Sequence, residues 1–521
     1  MKKLILLIIL VSFTLQAQHI TVGVGKSFTV EKTGSVTVEG NFSNSGTFTL
    51  NSDSDEFSSI IISGSVTGNI TYNRYVNTEG TDEWDLIGSP VDGLSINSFV
   101  TTNTTSSPAT LATNGDDYAV GYYDNEVDVW TNYTSATVGT AGNFNLGEGY
   151  QMASASGGTG ILAFTGTPAS TTQTQAIINN DAAAGGAGRR WNLIANPFPS
   201  YIQANTNADG TNNFLSVNTD KLDDAYEYIY GYDADGSGYT VYNNTSGALR
   251  LAPGQAFMVA SDDTSSDNVS FTTAMRTVVG GDDLITGNDN YDSQEVVIKL
   301  YNDNTEIEET RLYFKEGLSL DLNPGYDAGH FNQQAALISR LVEEDQGIGF
   351  IINAMGTESM NSTIIPLVIN QEAYQDFRVA LFTHTIPQNV NVYLEDNQQG
   401  TMTLLNEQDF ELTPENTLSE VGRFYLHLTE DTFSIEDEVE TNLLNVFKAA
   451  YNNFITVEGL AAQSGVTNVK LYSILGTEVL SISFNNTTNT QTIPTNGLAS
   501  GVYVIKLDSE FDRLITKLII H

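Results

Sequence analysis

The chain has 521 residues, which at roughly 150 residues per domain amounts to about three or four folded units rather than one core. Its 63 Asp and Glu against 21 Lys and Arg leave a net charge of −42, so it lacks the clustered cations that binding to nucleic acid or anionic lipid requires. Zero Cys excludes disulfides, thiolate metal sites and cysteine nucleophiles, while 16 % charged residues with 24 Tyr and 24 Phe favour strands joined by polar turns.

Residues 1–18 start with Lys2 and Lys3, continue as an apolar run from Leu4 to Val11 and end in small residues near Ala17. This is the pattern of a cleaved secretory signal, with the cut near Ala17 or Gln18, and the run is shorter than the roughly 20 residues that span a bilayer. No other segment has the length and apolarity to cross one, so no transmembrane segment is expected in the mature chain. From residue 19 to 76, pieces such as SFTVEK, SVTVEGNF, GTFTLNS and SSIIISG alternate apolar with polar residues between Gly and Asn turns. The near-repeats at residues 33–36, 44–48 and 62–66 fit the rungs of a short β-solenoid, and an antiparallel meander fits the same letters. GVGKS, residues 23–27, is a truncated phosphate loop: Ile20 stands where its first glycine belongs, and no helical pattern follows.

WDLIGSPV begins at Trp84 and WNLIANPF at Trp191, 107 residues later. GYYDNEVDVW (121–130) matches YGYDADGSGYTVY (230–242), and LGEGYQM (146–152) matches LAPGQAFMV (251–259). Three anchors at nearly constant offset predict a duplicated β domain, with copies at 77–175 and 176–285. In each copy a buried Trp-led strand is stopped by Pro90 or Pro197, and loop-rich stretches such as 101–115 lie between the anchors. Residues 290–430 carry nine short alternating strands, which predict an antiparallel sandwich or jelly roll. Residues 431–444 read as a linker, since the segment 429–440 holds six acids and no base.

Residues 445–521 are neutral, with five bases and five acids, and form a small β-sandwich by their alternation. The residues VKLYSILGTEVL (469–480), LASGVYVIKL (498–507) and KLII (517–520) resemble the type A C-terminal sorting domain of the type IX secretion system. On that resemblance Tyr472, Gly476, Gly501, Tyr503 and Lys517 occupy the positions of the sorting signal. The pattern departs at Thr477 and at the terminal His521. The resemblance implies passage across the inner membrane by the N-terminal signal and across the outer membrane by the tail, with the type IX machinery as partner. It also implies removal of the tail and release or attachment at the cell surface. The strands themselves predict a small immunoglobulin-like β-sandwich, and an ordinary module of that kind is the alternative to a sorting domain. The body loosely resembles other repeat-bearing surface proteins that carry the same tail.

The chemistry in the body is sparse. The five His residues are not at HExxH or other close metal spacing, and no G-x-S-x-G elbow occurs. Asp233 and Asp235 in YDADGSG suggest a hairpin turn first and a weak ligand site second. The EF-hand spacing fails there, and calcium at loop carboxylates is the one cofactor the acidity leaves room for. Trp84 and Trp191 stand at core-like positions, which leaves Trp130 as the freer aromatic for a sugar face. The reading is an all-β, multidomain, secreted or cell-surface protein, non-enzymatic, in adhesion or a structural role, with surface glycans or other cells as candidate partners. The alternatives are an array of carbohydrate-binding modules and a secreted hydrolase with its groups scattered along the chain.

Overall fold

The computed structural model describes residues 14–79, 84–106, 110–181, 189–233, 238–262, 267–281, 283, 294–361, 363–419, 421–429, 444–448, 454–463, 465–473, 477–485, 488, 490–509 and 513–520. Strands dominate, and the chain divides into two compact units, Met1–Asp292 and Ser293–His521.

The first unit opens as a three-sided coil. Strands β1 (Thr14–Ala17), β2 (Ile20–Val22) and β3 (Ser27–Val30) form one turn. A second turn holds β4 (Ser35–Val38), β5 (Phe42–Asn44) and β6 (Thr47–Asn51), and a third β7 (Ser59–Ile62), β8 (Val66–Thr67) and β9 (Ile70–Tyr75). Pairing between turns is parallel on all three sides, which makes the region a solenoid and not a meander of hairpins. The corners are stitched by side chains that reach the next turn. His19 Nδ1 accepts the Asn41 N–H at 2.9 Å, and Asn41 Oδ1 accepts the Ser65 N–H at 3.2 Å. Strand β1 lies inside the stretch that reads as the signal peptide, so a cut near Ala17 takes one side of the first turn with it. GVGKS forms the turn between β2 and β3, closed by Lys26 N–H to the Gly23 carbonyl.

The duplication is visible in the pairing. One copy contains β10 (Asp85–Ile87), α1 (Ile96–Thr105), β11 (Thr113–Asn114), β12 (Asp117–Asp124), β13 (Val129–Thr134), β14 (Tyr150–Met152) and β15 (Ile161–Gly166). The other contains β16 (Gln173–Ile177), β17 (Trp191–Ala195), β18 (Tyr201–Gln203), α2 (Phe214–Asn218), β19 (Ile229–Asp233), β20 (Gly238–Tyr242), β21 (Arg250–Leu251), β22 (Ala256–Ala260) and β23 (Asp267–Phe271). Leu86 pairs with Gln151, and Leu193 pairs with Met258, so the register repeats with both partners shifted by 107 residues. In each copy the first strand of the hairpin, β12 or β19, joins the equivalent central strand, β14 or β22.

Strand β9 serves both bodies: it ends the solenoid and pairs with β15 of the first copy. Solenoid and first copy consequently share one hydrophobic core, while the second copy has its own. The stretch expected to be loop-rich from Thr101 contains the second half of α1. Thr and Asn are poor helix formers, but Ser95 Oγ caps the helix by accepting the Ser98 N–H, and Ile96, Phe99, Val100 and Asn103 form one buried face. Asn103 binds the Phe99 carbonyl and both backbone groups of Ala163. Asn218 of α2 does the same with Phe214 and Ser270, clamping helix to strand in both copies.

The copies meet reciprocally. Gly88 N–H donates to the Gly254 carbonyl at 2.7 Å, and Ala195 N–H donates to the Gly147 carbonyl at 2.8 Å, each donor and each acceptor 107 residues from its counterpart. Bridges Ile87 to Gln255 and Glu148 to Ile194 repeat the exchange. This is the contact pattern of an approximate two-fold axis. The approach requires glycine at 88, where a Cβ would collide with Ala195 Cβ and lie 2.6 Å from the Glu148 carbonyl oxygen.

In the second unit, residues 294–429 form one eleven-stranded sheet with a main core and a small second cluster of Ala335, Ile338 and Val368. Its far strands close on each other: Phe410, on a terminal strand, meets Phe424, near the opposite end, at 5.9 Å between ring centroids. Besides the nine expected strands it contains Ala328–Gly329 and Phe410–Leu412. One pairing departs from antiparallel, between Thr305–Phe314 and Phe350–Met355. Residues 444–520 form two further sheets of three and four strands, built from their own strands alone among the described residues.

The repeated clamp gives a direct test. Asn103→Ala and Asn218→Ala should each destabilise the protein by about 2–3 kcal/mol, since each leaves buried backbone groups without partners. Denaturant unfolding should return similar costs for the two sites; a cost at one site alone would contradict their equivalence.

Candidate functional site

The C-terminal module is held by a core that its two sheets share. Val446, Ile455, Val457, Leu460 and Ile493 come from one side, and Val469, Leu471, Ile505, Leu507 and Leu518 from the other. Period-two alternation separates the candidate residues. Tyr503 points inward and is buried, its hydroxyl donating to the Ala499 carbonyl at 2.9 Å. Tyr472 and Lys517 point outward, and both stand across from Val504. Partial burial lowers the Lys517 ammonium from its ordinary value, against the pull of the Glu395 carboxylate. Thr516 donates to Asn397 Oδ1 at 3.2 Å. Gly501 opens the third strand of its sheet at φ 154°, a backbone that side chains rarely adopt. Gly476 lies outside the described residues.

In the body, Trp130 sits on the β12–β13 hairpin directly opposite Tyr123, their ring centroids 5.2 Å apart. The Tyr123 hydroxyl donates to Asp128 Oδ1 at 2.8 Å. Beside them Val127 and Val129 are 52 % and 47 % exposed. The hairpin tip is tied to the second copy: Asn125 donates to the Ile178 carbonyl and Arg189 to the Glu126 carbonyl. Asp233 ends β19, paired with Gly238; its side chain and the whole of Asp235 lie outside the described residues. Among the described residues no group of three or more His, Asp or Glu converges as a metal-holding cluster. His427 Nε2 stands 2.5 Å from Glu395 Oε2, a pair across neighbouring strands.

One cluster escaped the sequence reading. Arg74 is fully buried, its guanidinium donating to the carbonyls of Pro253 and Tyr75 and to Asp283, with the Phe57 ring 4.2 Å beneath. Asp85 lies buried beside it and accepts the Asn77 N–H at 2.7 Å. Burial, then the Asp283 carboxylate, push Asp85 up to about 7. The duplication identifies what is unusual here. Asn192, the counterpart of Asp85, accepts the Ile178 N–H with a neutral amide. A sequence signal existed, because Ile70, Tyr72 and Arg74 share the inward face of one strand.

Between about pH 4 and 7 the folded chain holds a proton on Asp85 that the unfolded chain has released, so stability falls as pH rises through that window. Asp85→Asn should stabilise the protein at pH 8 by up to about 4 kcal/mol and change little at pH 4. Denaturation midpoints at the two pH values check this; an equal effect at both would contradict it. Gly501→Val should cost the tail about 1–3 kcal/mol from backbone strain alone, since nothing lies within 4 Å of the added Cβ. Export should fall with it, measured as secreted against cell-retained protein, and wild-type secretion of a destabilised variant would count against the link.

No helix among the described residues is long and apolar enough to cross a membrane. No curated protein matches the chain. Residues 451–521 match the family described as Secretion system C-terminal sorting domain, which covers the four-stranded sheet of the tail and two of the three strands of the other, and marks the protein for export through the type IX secretion system. The body, matched over residues 6–428, belongs to the family described as Domain of unknown function (DUF8693).

Proposed function

We propose that the protein works at the cell surface or after release, without catalysis, in adhesion or as a structural component, and that the β12–β13 hairpin is its contact element. The observation that supports this reading is the hairpin itself. It presents a Tyr123–Trp130 pair and two exposed valines, and hydrogen bonds from Asn125 and Arg189 fix its tip to the neighbouring copy. A rigid scaffold that projects aromatic side chains loses little conformational entropy on binding. The −42 charge keeps the body away from polyanions and directs the choice toward neutral partners.

Neutral glycans are the second reading, favoured by the same pair, because sugar faces stack on half-buried rings such as Trp130. Pull-down of the full chain on insoluble polysaccharides and on cells, with Trp130→Ala beside wild type, separates the readings. Loss of at least tenfold in polysaccharide binding by Trp130→Ala supports the glycan reading. Cell binding that falls with the variant while polysaccharides stay unbound supports adhesion to a protein surface. Unchanged binding in both assays removes the hairpin from the account.

A further inference from the structure

The outward face of the four-stranded tail sheet carries an arrangement that its own stability does not explain. Its strands run in the order Glu478–Asn485, Val466–Ser473, Gly501–Asp508, Arg513–Ile520. Inward residues such as Leu471 and Ile505 are buried. On the outward side Lys470 stands directly opposite Lys506, and Lys506 directly opposite Ile515. Like charges facing each other across a strand pair are unfavourable. The chain has 21 cations in all, and two of them occupy this repulsive position. Around them lies an open groove of about 540 Å³ lined by Val466, Asn468, Lys470, Tyr472, Lys506 and Asp508. Val466 is 45 % and Ile515 55 % exposed. Lys470 pairs with Glu478 at 2.8 Å and Lys506 with Asp508 at 3.1 Å, both at the surface, where such pairs are weak and exchangeable.

We propose that this groove, centred on Lys470 and Lys506, is the surface by which the tail docks on an acidic protein partner along the export route. The proposal rests on the assignment of residues 451–521 as a sorting domain and names the face that such a domain uses. Charge complementarity selects the partner. An acidic surface attracts the lysine pair and repels the rest of a chain of net charge −42, so the cargo approaches tail first. The carboxylates of Glu478 and Asp508 at the rim disfavour a uniformly anionic lipid layer, whereas a protein can set its acids against the two lysines and its hydrogen-bond donors against the rim. The interleaved Val466, Tyr472 and Ile515 supply the apolar contact.

The test uses the full chain with Lys506→Glu and, separately, the neutral pair Lys470→Gln with Lys506→Gln. Lys506→Glu replaces the repulsion with Lys470 by an attraction and gives up the weak surface pair with Asp508, so the tail should unfold at about the same denaturant concentration while secretion falls at least tenfold. Binding to an immobilised Asp- and Glu-rich peptide should fall by a similar factor and weaken with salt. The neutral pair should lose secretion as well, and Lys26→Glu in the solenoid turn should not. Wild-type secretion of both tail variants would overturn the proposal, as would binding to anionic vesicles in place of the acidic peptide. Deletion of residues 444–521 separates the two levels. If the truncated chain is still secreted, the sorting role itself fails; if it is retained while the lysine variants are secreted, the docking face alone fails.

Discussion

The constraint on which the rest depends is that residues 444–520 close their own core. Fourteen buried apolar side chains, from Leu444 to Ile520, meet between two sheets that take no strand from the sandwich among the described residues. A module that satisfies its backbone and buries its apolar face by itself can be appended to almost any exported body. Delivery and cargo are then separate physical problems, and the tail says nothing about what the body binds. One link across to the sandwich is a hydrogen bond, from Thr516 to Asn397.

The body solves a different problem, that of rigidity without cysteine. Its solenoid is pinned at the corners by side chains that reach the next turn. Its duplicated domains are pinned by reciprocal backbone bonds, with glycine at 88 where a Cβ would collide with the other copy. Because the contacts are reciprocal, each copy supplies what the other lacks, and the hairpin tip of one is braced by the segment leading into the other. The symmetry breaks at Arg74, Asp85 and Asp283. There a buried cation and two carboxylates stand where the second copy relies on the neutral amide of Asn192. Neutralising one carboxylate of a buried charged trio removes a desolvation cost without removing a hydrogen bond.

Much of this was legible before the structure, for identifiable reasons. WDLI and WNLI announced the duplication because buried strands keep their apolar residues in register, and the tail was recognisable from Gly501, Tyr503 and the closing KLII. Parallel pairing in the solenoid was not, since alternation reports which face is buried and not the direction of the neighbouring strand. Helix α1 was hidden by its Thr and Asn content, and tertiary burial of Phe99 and Asn103 overrides that weak propensity. That β9 belongs to two bodies at once was not legible either, since no composition shift marks a strand with partners in both. The opposition of Lys470 and Lys506 needs a register, which follows from pairing over the whole sheet and not from either strand alone.

Hydrogen exchange across the full chain tests the separateness of the tail most directly. With the third tail strand strained at residue 501, amides in 466–473 and 501–508 should lose protection together, while those in 294–302 and 363–369 keep theirs. A matching loss of protection in the sandwich would mean that the two unfold as one body, and the division between cargo and address would not hold.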